Sequence, residues 1–275
     1  MEDDAVSSLE YSLAEMMVVQ AARELAGSGR AFVGMGLPML ATALTKFHHD
    51  PSVVYSTEVG VGDWDPFAGD VDRAPSGVAD PILNRGAGYV GDMIDALGGW
   101  LMGGRLDVAV LTAAEVDRFG NLNTLLIGDP AQPSTRLPGT GGNTDAACLA
   151  PRVIVLMSLE PRRFVERVSF ITSPGYITGP GARREAGLDL QGPNMVVSTM
   201  GVFTFDTSDG GETGSCEMEL AKVFPGFSAD VIESLIPWPL RVRADVGECA
   251  APTEAELTLL RSLDPGPVYL REGRY

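Results

Sequence analysis

Ala31-Phe32-Val33-Gly34-Met35-Gly36-Leu37-Pro38 joins a short apolar run to a glycine-rich break and then to a proline. The apolar run reads as a buried strand. Glycines after a strand either make a tight turn or let the backbone come close to a ligand. Pro38 suits the opening of a helix, because its ring fixes φ and its missing N–H would have no partner there. The flanking sequence repeats the alternation. Upstream, Ser8 to about Ala26 sets Leu9, Leu13, Met16, Met17, Ala21 and Leu25 near helical period, and Gly27 and Gly29 stop it. Downstream, a helix from Pro38 to about Phe47 leads into the strand Val53-Val54-Tyr55-Ser56. Helix, strand, glycine loop, helix, strand is the order of a parallel α/β sheet, since parallel strands need crossover connections.

The rest of the chain extends this pattern. Leu106 to Thr112 and Arg152 to Leu159 are continuous apolar runs that predict buried strands, and Val168 to Thr172 predicts a shorter one. Residues 62–88 hold many Gly, Pro and Asp and predict an irregular segment able to cover a site, followed by a helix from Tyr89 to Leu101. Met195 to Thr199 and Val202 to Asp206, joined through Met200-Gly201, predict a β-hairpin. Ser228 caps a short helix to Ser234, and Thr253 with Glu256 forms a capping box on a last helix to Ser262. No internal repeat or long linker interrupts residues 1–275. The expectation is one α/β domain, an open, mostly parallel sheet with flanking helices and an irregular, partly β C-terminal third.

Composition narrows the function. With 275 residues, 45% hydrophobic and 21% charged, the chain can bury a large core. The net charge of −17 argues against nucleic acid, which needs a basic footprint. No run approaches the ~18 unbroken apolar residues of a membrane span, and the acidic start Met1-Glu2-Asp3-Asp4 is unlike a signal peptide. A cytoplasmic location is expected. Cys148, Cys216 and Cys249 lack metal spacing and read as free thiols. His48 and His49 are the only histidines, so a zinc site or histidine triad has little to build from, and no metal is expected.

Three places carry candidate chemistry. Glu58 stands where the strand through Ser56 gives out, followed by Val59 and Gly60. An isolated glutamate near a turn is ordinarily a solvated residue. Ligands of open α/β sheets nevertheless bind outside the carboxyl ends of strands, which makes Glu58 a candidate nucleophile. In Leu137-Pro138-Gly139-Thr140-Gly141-Gly142-Asn143-Thr144-Asp145, the glycines free amide N–H groups that can hold a negative oxygen. Asp145 reads there as a helix N-cap. Asp117-Arg118-Phe119-Gly120 is a turn signal, and Asn121 and Asn123 beyond it either order the loop or bind substrate, ordering being the more ordinary part.

Taken together, these pieces resemble a known family. Gly34-Met35-Gly36-Leu37-Pro38, Glu58-Val59-Gly60 and Val116-Asp117-Arg118-Phe119-Gly120-Asn121-Leu122-Asn123 occur in its order. So do Gly139-Thr140-Gly141-Gly142-Asn143, Thr172-Ser173-Pro174-Gly175-Tyr176, Gly179-Pro180-Gly181-Ala182-Arg183 and Leu263-Asp264-Pro265-Gly266. The chain resembles the β subunit of the class I coenzyme A transferases, most of all those of glutaconate CoA-transferase type. The resemblance implies that family's open α/β fold, coenzyme A as acyl-CoA substrate, and a separate α subunit in an α2β2 assembly. It implies Glu58 as the catalytic glutamate, with the Gly142 amide as oxyanion hole. Gly34, Gly36, Gly60, Asn121, Asn123, Gly141 and Asn143 are the expected substrate and CoA contacts. One departure is Val59, where such chains usually carry Ser or Asn, with consequences for the pocket. The alternative is a same-fold acyl-CoA decarboxylase or carbon–carbon hydrolase.

Overall fold

A computed structural model of the chain describes residues 10–68, 73, 75–207 and 213–271. The acidic start, Ser8 and Leu9 lie outside them. Helix α1 (Leu13–Leu25) starts at Ser12, whose hydroxyl accepts from the Glu15 N–H while Glu15 Oε2 accepts from the Ser12 N–H at 2.7 Å. This capping box satisfies two amides that the first turn leaves without helical partners. The predicted alternation follows as β1 (Arg30–Val33), α2 (Leu37–Leu44) and β2 (Val54–Ser56), with a π-helical turn, Thr45–His49, prolonging α2.

Two short strands, β3 (Val61–Gly62) and β4 (Tyr89–Val90), come next, and β5 (Val108–Leu111) is the strand expected from Leu106 to Thr112. The ribbon β6 (Glu115–Val116) and β7 (Leu122–Asn123) frames the Asp117 turn, and β8 (Leu126–Asp129) and β9 (Gln132–Arg136) form a hairpin. Then follow α3 (Asn143–Leu149), β10 (Val153–Met157), α4 (Ala182–Glu185), β11 (Met195–Ser198), β12 (Gly201–Phe205) and β13 (Met218–Val223). The chain closes with α5 (Ala229–Leu235), β14 (Arg241–Glu248) and α6 (Glu254–Leu263). The Ser228 cap and the Thr253–Glu256 capping box are both present.

The main sheet has the order β14-β13-β12-β11-β10-β5-β1-β2-β3-β4. Its centre, β11-β10-β5-β1-β2, is parallel throughout, and β12 returns antiparallel on β11 as the hairpin signal required. Successive side chains of a strand face opposite ways. Ala31, Val33, Val108, Val110, Ile154 and Leu156 therefore join α1 and α2 in one core. Phe32, Ala109, Leu111, Val153, Val155 and Met157 join α3 and the C-terminal elements in the other. Burying each of the larger of these side chains contributes about 1.5–3 kcal/mol. Two ion pairs tie α1 to α6: Arg23 to Glu256 at 2.7 Å and Arg261 to Glu15 at 2.7 Å.

Two expectations change. Tyr89 to Leu101 is not one helix. Tyr89–Val90 pairs with β3, and only Ile94–Met102 coils, as a π-helix whose end bonds include Gly103 N–H to Gly98 O at 3.0 Å. Val168 to Thr172 forms no strand, because Phe170 and Ile171 are exposed and the Ser169 N–H and hydroxyl are bonded to the Glu115 carboxylate. The C-terminal third is partly β, as expected: β13 and β14 extend the main sheet between irregular segments.

Candidate active site

Loops leave the carboxyl ends of adjacent parallel strands in one place: Gly34 to Gly36 after β1, Thr57 to Gly60 after β2, Thr112 to Ala114 after β5, and Ser158 to Arg163 after β10. Outside those ends lies a cavity of about 730 Å3 whose lining includes Gly34, Glu58, Thr124, Gly141, Asn143 and Arg163. A smaller chamber of about 320 Å3 is walled by Gly36, Leu37, Pro38, Ser158 and Tyr269. Met35, Thr112 and Arg163 line both.

Glu58 is carried by a tight turn. The Thr57 N–H donates to Val61 O at 2.9 Å and the Gly60 N–H to Thr57 O at 3.2 Å. Gly60 has φ +89°, and a Cβ there would collide with the backbone of Asp92. Only glycine fits that close approach. Gly60 thus fixes the turn, buried against the backbone before the π-helix, and does not line the cavity. Val59 turns its side chain to the apolar cluster of α1 and α2, away from the cavity. The expected effect of Val59 on the pocket is therefore not seen.

The half-buried Glu58 carboxylate meets the glycine loop directly. Its Oε2 accepts the Gly142 N–H at 2.5 Å. A Cβ on Gly141, whose φ is +48°, would come within 2.5 Å of the same oxygen, and one on Gly142 within 2.9 Å of the Phe32 ring and 3.0 Å of Leu97. Both glycines are thus required by packing. Gly142 is also the N-cap of α3, and Asp145 is the third helical residue, not the cap. Asn143, the first residue of α3, lines the cavity and donates to Thr112 O at 3.4 Å. Gly34 lines the larger chamber and Gly36 the smaller.

Asn121 and Asn123 lie apart from the cavity lining. Asn121 is buried, donates to Asp117 and to Ile177 O, and accepts from the Gly175 and Ile177 N–H groups. Asn123 donates to Glu115 at 2.7 Å and to Leu126 O. Their amides order the loops, the more ordinary of the two expected parts. Burial pushes the Asp117 carboxyl above its usual value even though Asn121 and nearby amides oppose the shift. Arg183 is a similar organiser: buried, it donates to the Leu190, Pro174, Gly175 and Ala147 carbonyls and pins the Gly/Pro loop to α3.

Ser158, Arg163 and Thr112 are pocket residues that the sequence does not single out. A signal is nevertheless present, since each follows a strand at the same sheet edge as Glu58. The structure also brings His48, His49 and Glu256 together, with ligand atoms within 4.8 Å of one another. Both Glu256 oxygens are already engaged by Arg23, and Oε2 also by Thr253, so an ion there would compete with a guanidinium.

The chain as a whole has relatives among known proteins. The sequence model of the family described as coenzyme A transferase matches residues 14–234. The chain belongs to the coenzyme A transferase family. It is 37% identical to the B subunit of 3-oxoadipate CoA-transferase from Pseudomonas knackmussii, over 92% of this chain and 94% of that one. It is 30% identical to the B subunit of glutaconate CoA-transferase from Acidaminococcus fermentans, over 95% and 96%. The crystal structure of the Acidaminococcus transferase superposes with a TM-score of 0.84, covering 95% of this chain and 98% of that one. The decarboxylase AibA/AibB superposes at 0.75 with 22% identity, covering 93% and 96%, a likeness of fold. As a CoA-transferase the chain has the open sheet expected of the family, ten strands wide. No helix among the described residues is long and apolar enough to cross a membrane.

Proposed function

We propose that this chain is the β subunit of a heteromeric CoA-transferase, exchanging CoA between an acyl-CoA and a carboxylic acid through a glutamyl–CoA thioester on Glu58. The observation that carries the reading is the Gly142 N–H on Glu58 Oε2, at 2.5 Å, beside the large cavity. Held this way, the carboxylate keeps Oε1 as the attacking oxygen. Attack on the acyl-CoA carbonyl gives a tetrahedral oxyanion, then a mixed anhydride and CoA thiolate as the C–S bond breaks. The thiolate attacks the glutamyl carbonyl, releases the first acid and leaves the thioester. An acceptor carboxylate repeats both steps in reverse, so charge and protons balance without a general acid.

In the thioester, Oε2 becomes the carbonyl oxygen. Gly142 is then placed to stabilise the negative charge that develops on it, an effect worth about 3–4 kcal/mol per donor. The two named relatives support acids with a second carboxylate, since 3-oxoadipate and glutaconate both have one. Each of those relatives is named as one subunit of its enzyme, which supports a separate α subunit for this chain; the α2β2 assembly belongs to the same reading. The expected cytoplasmic location belongs to the same reading. The decarboxylase and the ring-cleaving hydrolase of this fold are more distant relatives and carry no second reading.

The test uses the complex co-produced with its α subunit. Incubation with one acyl-CoA, borohydride treatment and peptide mass spectrometry should show a reduced Glu58. Glu58→Gln should lose the label and lower exchange on the order of 10^4-fold, as when other nucleophiles are removed. Product release from one CoA ester with no acceptor and no label would overturn the reading.

A further inference from the structure

The smaller chamber is distinctive in its polar groups. Ser158 is 5% exposed, lines the chamber, and its buried hydroxyl has no hydrogen-bond partner among the described residues. A buried hydroxyl left unpaired costs about 1–3 kcal/mol, so the site is built for something that bonds it. Arg163 lines both chambers and is the one basic side chain in either lining among the described residues. Its Nε donates to Glu160 Oε1 at 3.2 Å and its Nη1 to Ala113 O at 3.4 Å, while Nη2 has no partner among the described residues. Glu160 is shared with Arg162, whose Nε lies 2.6 Å from Oε2, so two guanidiniums face one carboxylate and the cluster keeps positive charge. The amino end of α2, from Gly36, walls the other side and adds the positive end of a helix dipole.

An apolar tail would leave the hydroxyl and the guanidinium unanswered. A carboxylate answers both, because it accepts from a serine hydroxyl and from a planar N–H fork. We infer that Arg163 and Ser158 hold the far carboxylate of the substrate acid, making Arg163 the residue that selects dicarboxylic over monocarboxylic acids. This rests on the Glu58 reading: one carboxylate exchanges at Glu58 in the large chamber while the other end of the same acid lies in the small one. Donor acyl group and acceptor acid use the site in turn.

The experiment takes the complex with the α subunit, charged as the Glu58 thioester, and compares glutarate with its monomethyl ester as acceptors. Wild type should prefer glutarate by about 30-fold or more in kcat/KM, the scale of a charge-assisted bond. Arg163→Met should bring that preference to about 1 through a raised KM for glutarate, Arg163→Lys should restore part of it, and Ser158→Ala should lower it about 5-fold. Equal losses with both acceptors, or a raised KM for CoA itself, would mean a structural or phosphate-binding role and overturn the assignment. Borohydride labelling of Glu58, run in parallel, separates the two claims. Labelling with no wild-type preference for glutarate refutes the carboxylate subsite alone, whereas no labelling refutes the Glu58 reading and this one with it.

Discussion

Glu58 is held by the backbone of the loop opposite, and that contact sets how much either partner tolerates. Gly141 is the sharper test. An added methyl would sit 2.5 Å from Glu58 Oε2 at a φ of +48°, so the glutamate must move and the loop must strain together. Gly141→Ala is expected to cut exchange about 100-fold or more, the scale of losing one oxyanion donor, while assembly and the far-UV spectrum stay as in wild type. Steady-state kinetics on the assembled variant decides it, and near-normal kcat would break the link drawn between the loop and Glu58. The sequence announces both members of this contact, an acid after a strand and glycines before a helix. Arg163 and Ser158 carry only the weaker signal of following β10 at the same sheet edge, because a residue in a polar turn has no local mark of facing a cavity. Asn121 and Asn123 stay open in sequence, because a polar amide looks the same whether its partner is a ligand or a neighbouring loop.

Elements are legible where burial on both faces leaves one reading. β5, β10 and the Ala31 to Val33 part of β1 are continuous apolar runs because helices cover both sides of a parallel sheet. β14, reading Arg241-Val242-Arg243-Ala244-Asp245-Val246-Gly247-Glu248, is an exposed edge whose charges discourage further pairing, and its pattern gives no core face to detect. The π-helix Ile94–Met102 looks like ordinary helix in sequence because apolar spacing does not encode which carbonyl each N–H reaches. The α1–α6 clamp shows how capping signals reach tertiary structure. Burial works against the charged form of Glu256, but bonds from Arg23 and Thr253 outweigh it and pull its carboxyl down to about 2. A depressed carboxyl contributes stability that is present above the unfolded value of about 4.3 and lost as pH falls towards 2. Arg23→Met is therefore expected to lower stability by about 2–3 kcal/mol at pH 7, with the gap to wild type narrowing at pH 3. Urea midpoints at the two pH values measure it, and a gap that widens in acid would contradict the assignment.

At the scale of the whole molecule, the chain looks incomplete around its own cavity. Coenzyme A carries several phosphates, yet the net charge is −17 and, among the described residues, the basic one lining the cavity is Arg163. The cations that grip the nucleotide are then expected from the α subunit, and calorimetry with the isolated chain should show CoA binding far weaker than in the complex. The docking face is expected beside the site. Val90, Met93, Ile94 and Met102 are exposed, Ile94 by 78%, on the same segment whose Leu97 packs against Gly142 and whose Asp92 backbone seats Gly60. These exposed apolar side chains, on a segment that packs against the Glu58 turn, are the surface the α subunit should cover. Ile94→Asp places a charge in the centre of that face at almost no cost to the free chain, where the side chain already meets water. It is expected to weaken association with the α subunit about 30-fold or more, as loss of an interface anchor does. Thermal unfolding of the chain alone should stay unchanged. Sedimentation of the mixed subunits reads the first quantity and calorimetry of the chain the second. An assembly as tight as wild type would move the docking face elsewhere on the molecule, and with it the origin of the residues that complete the cavity.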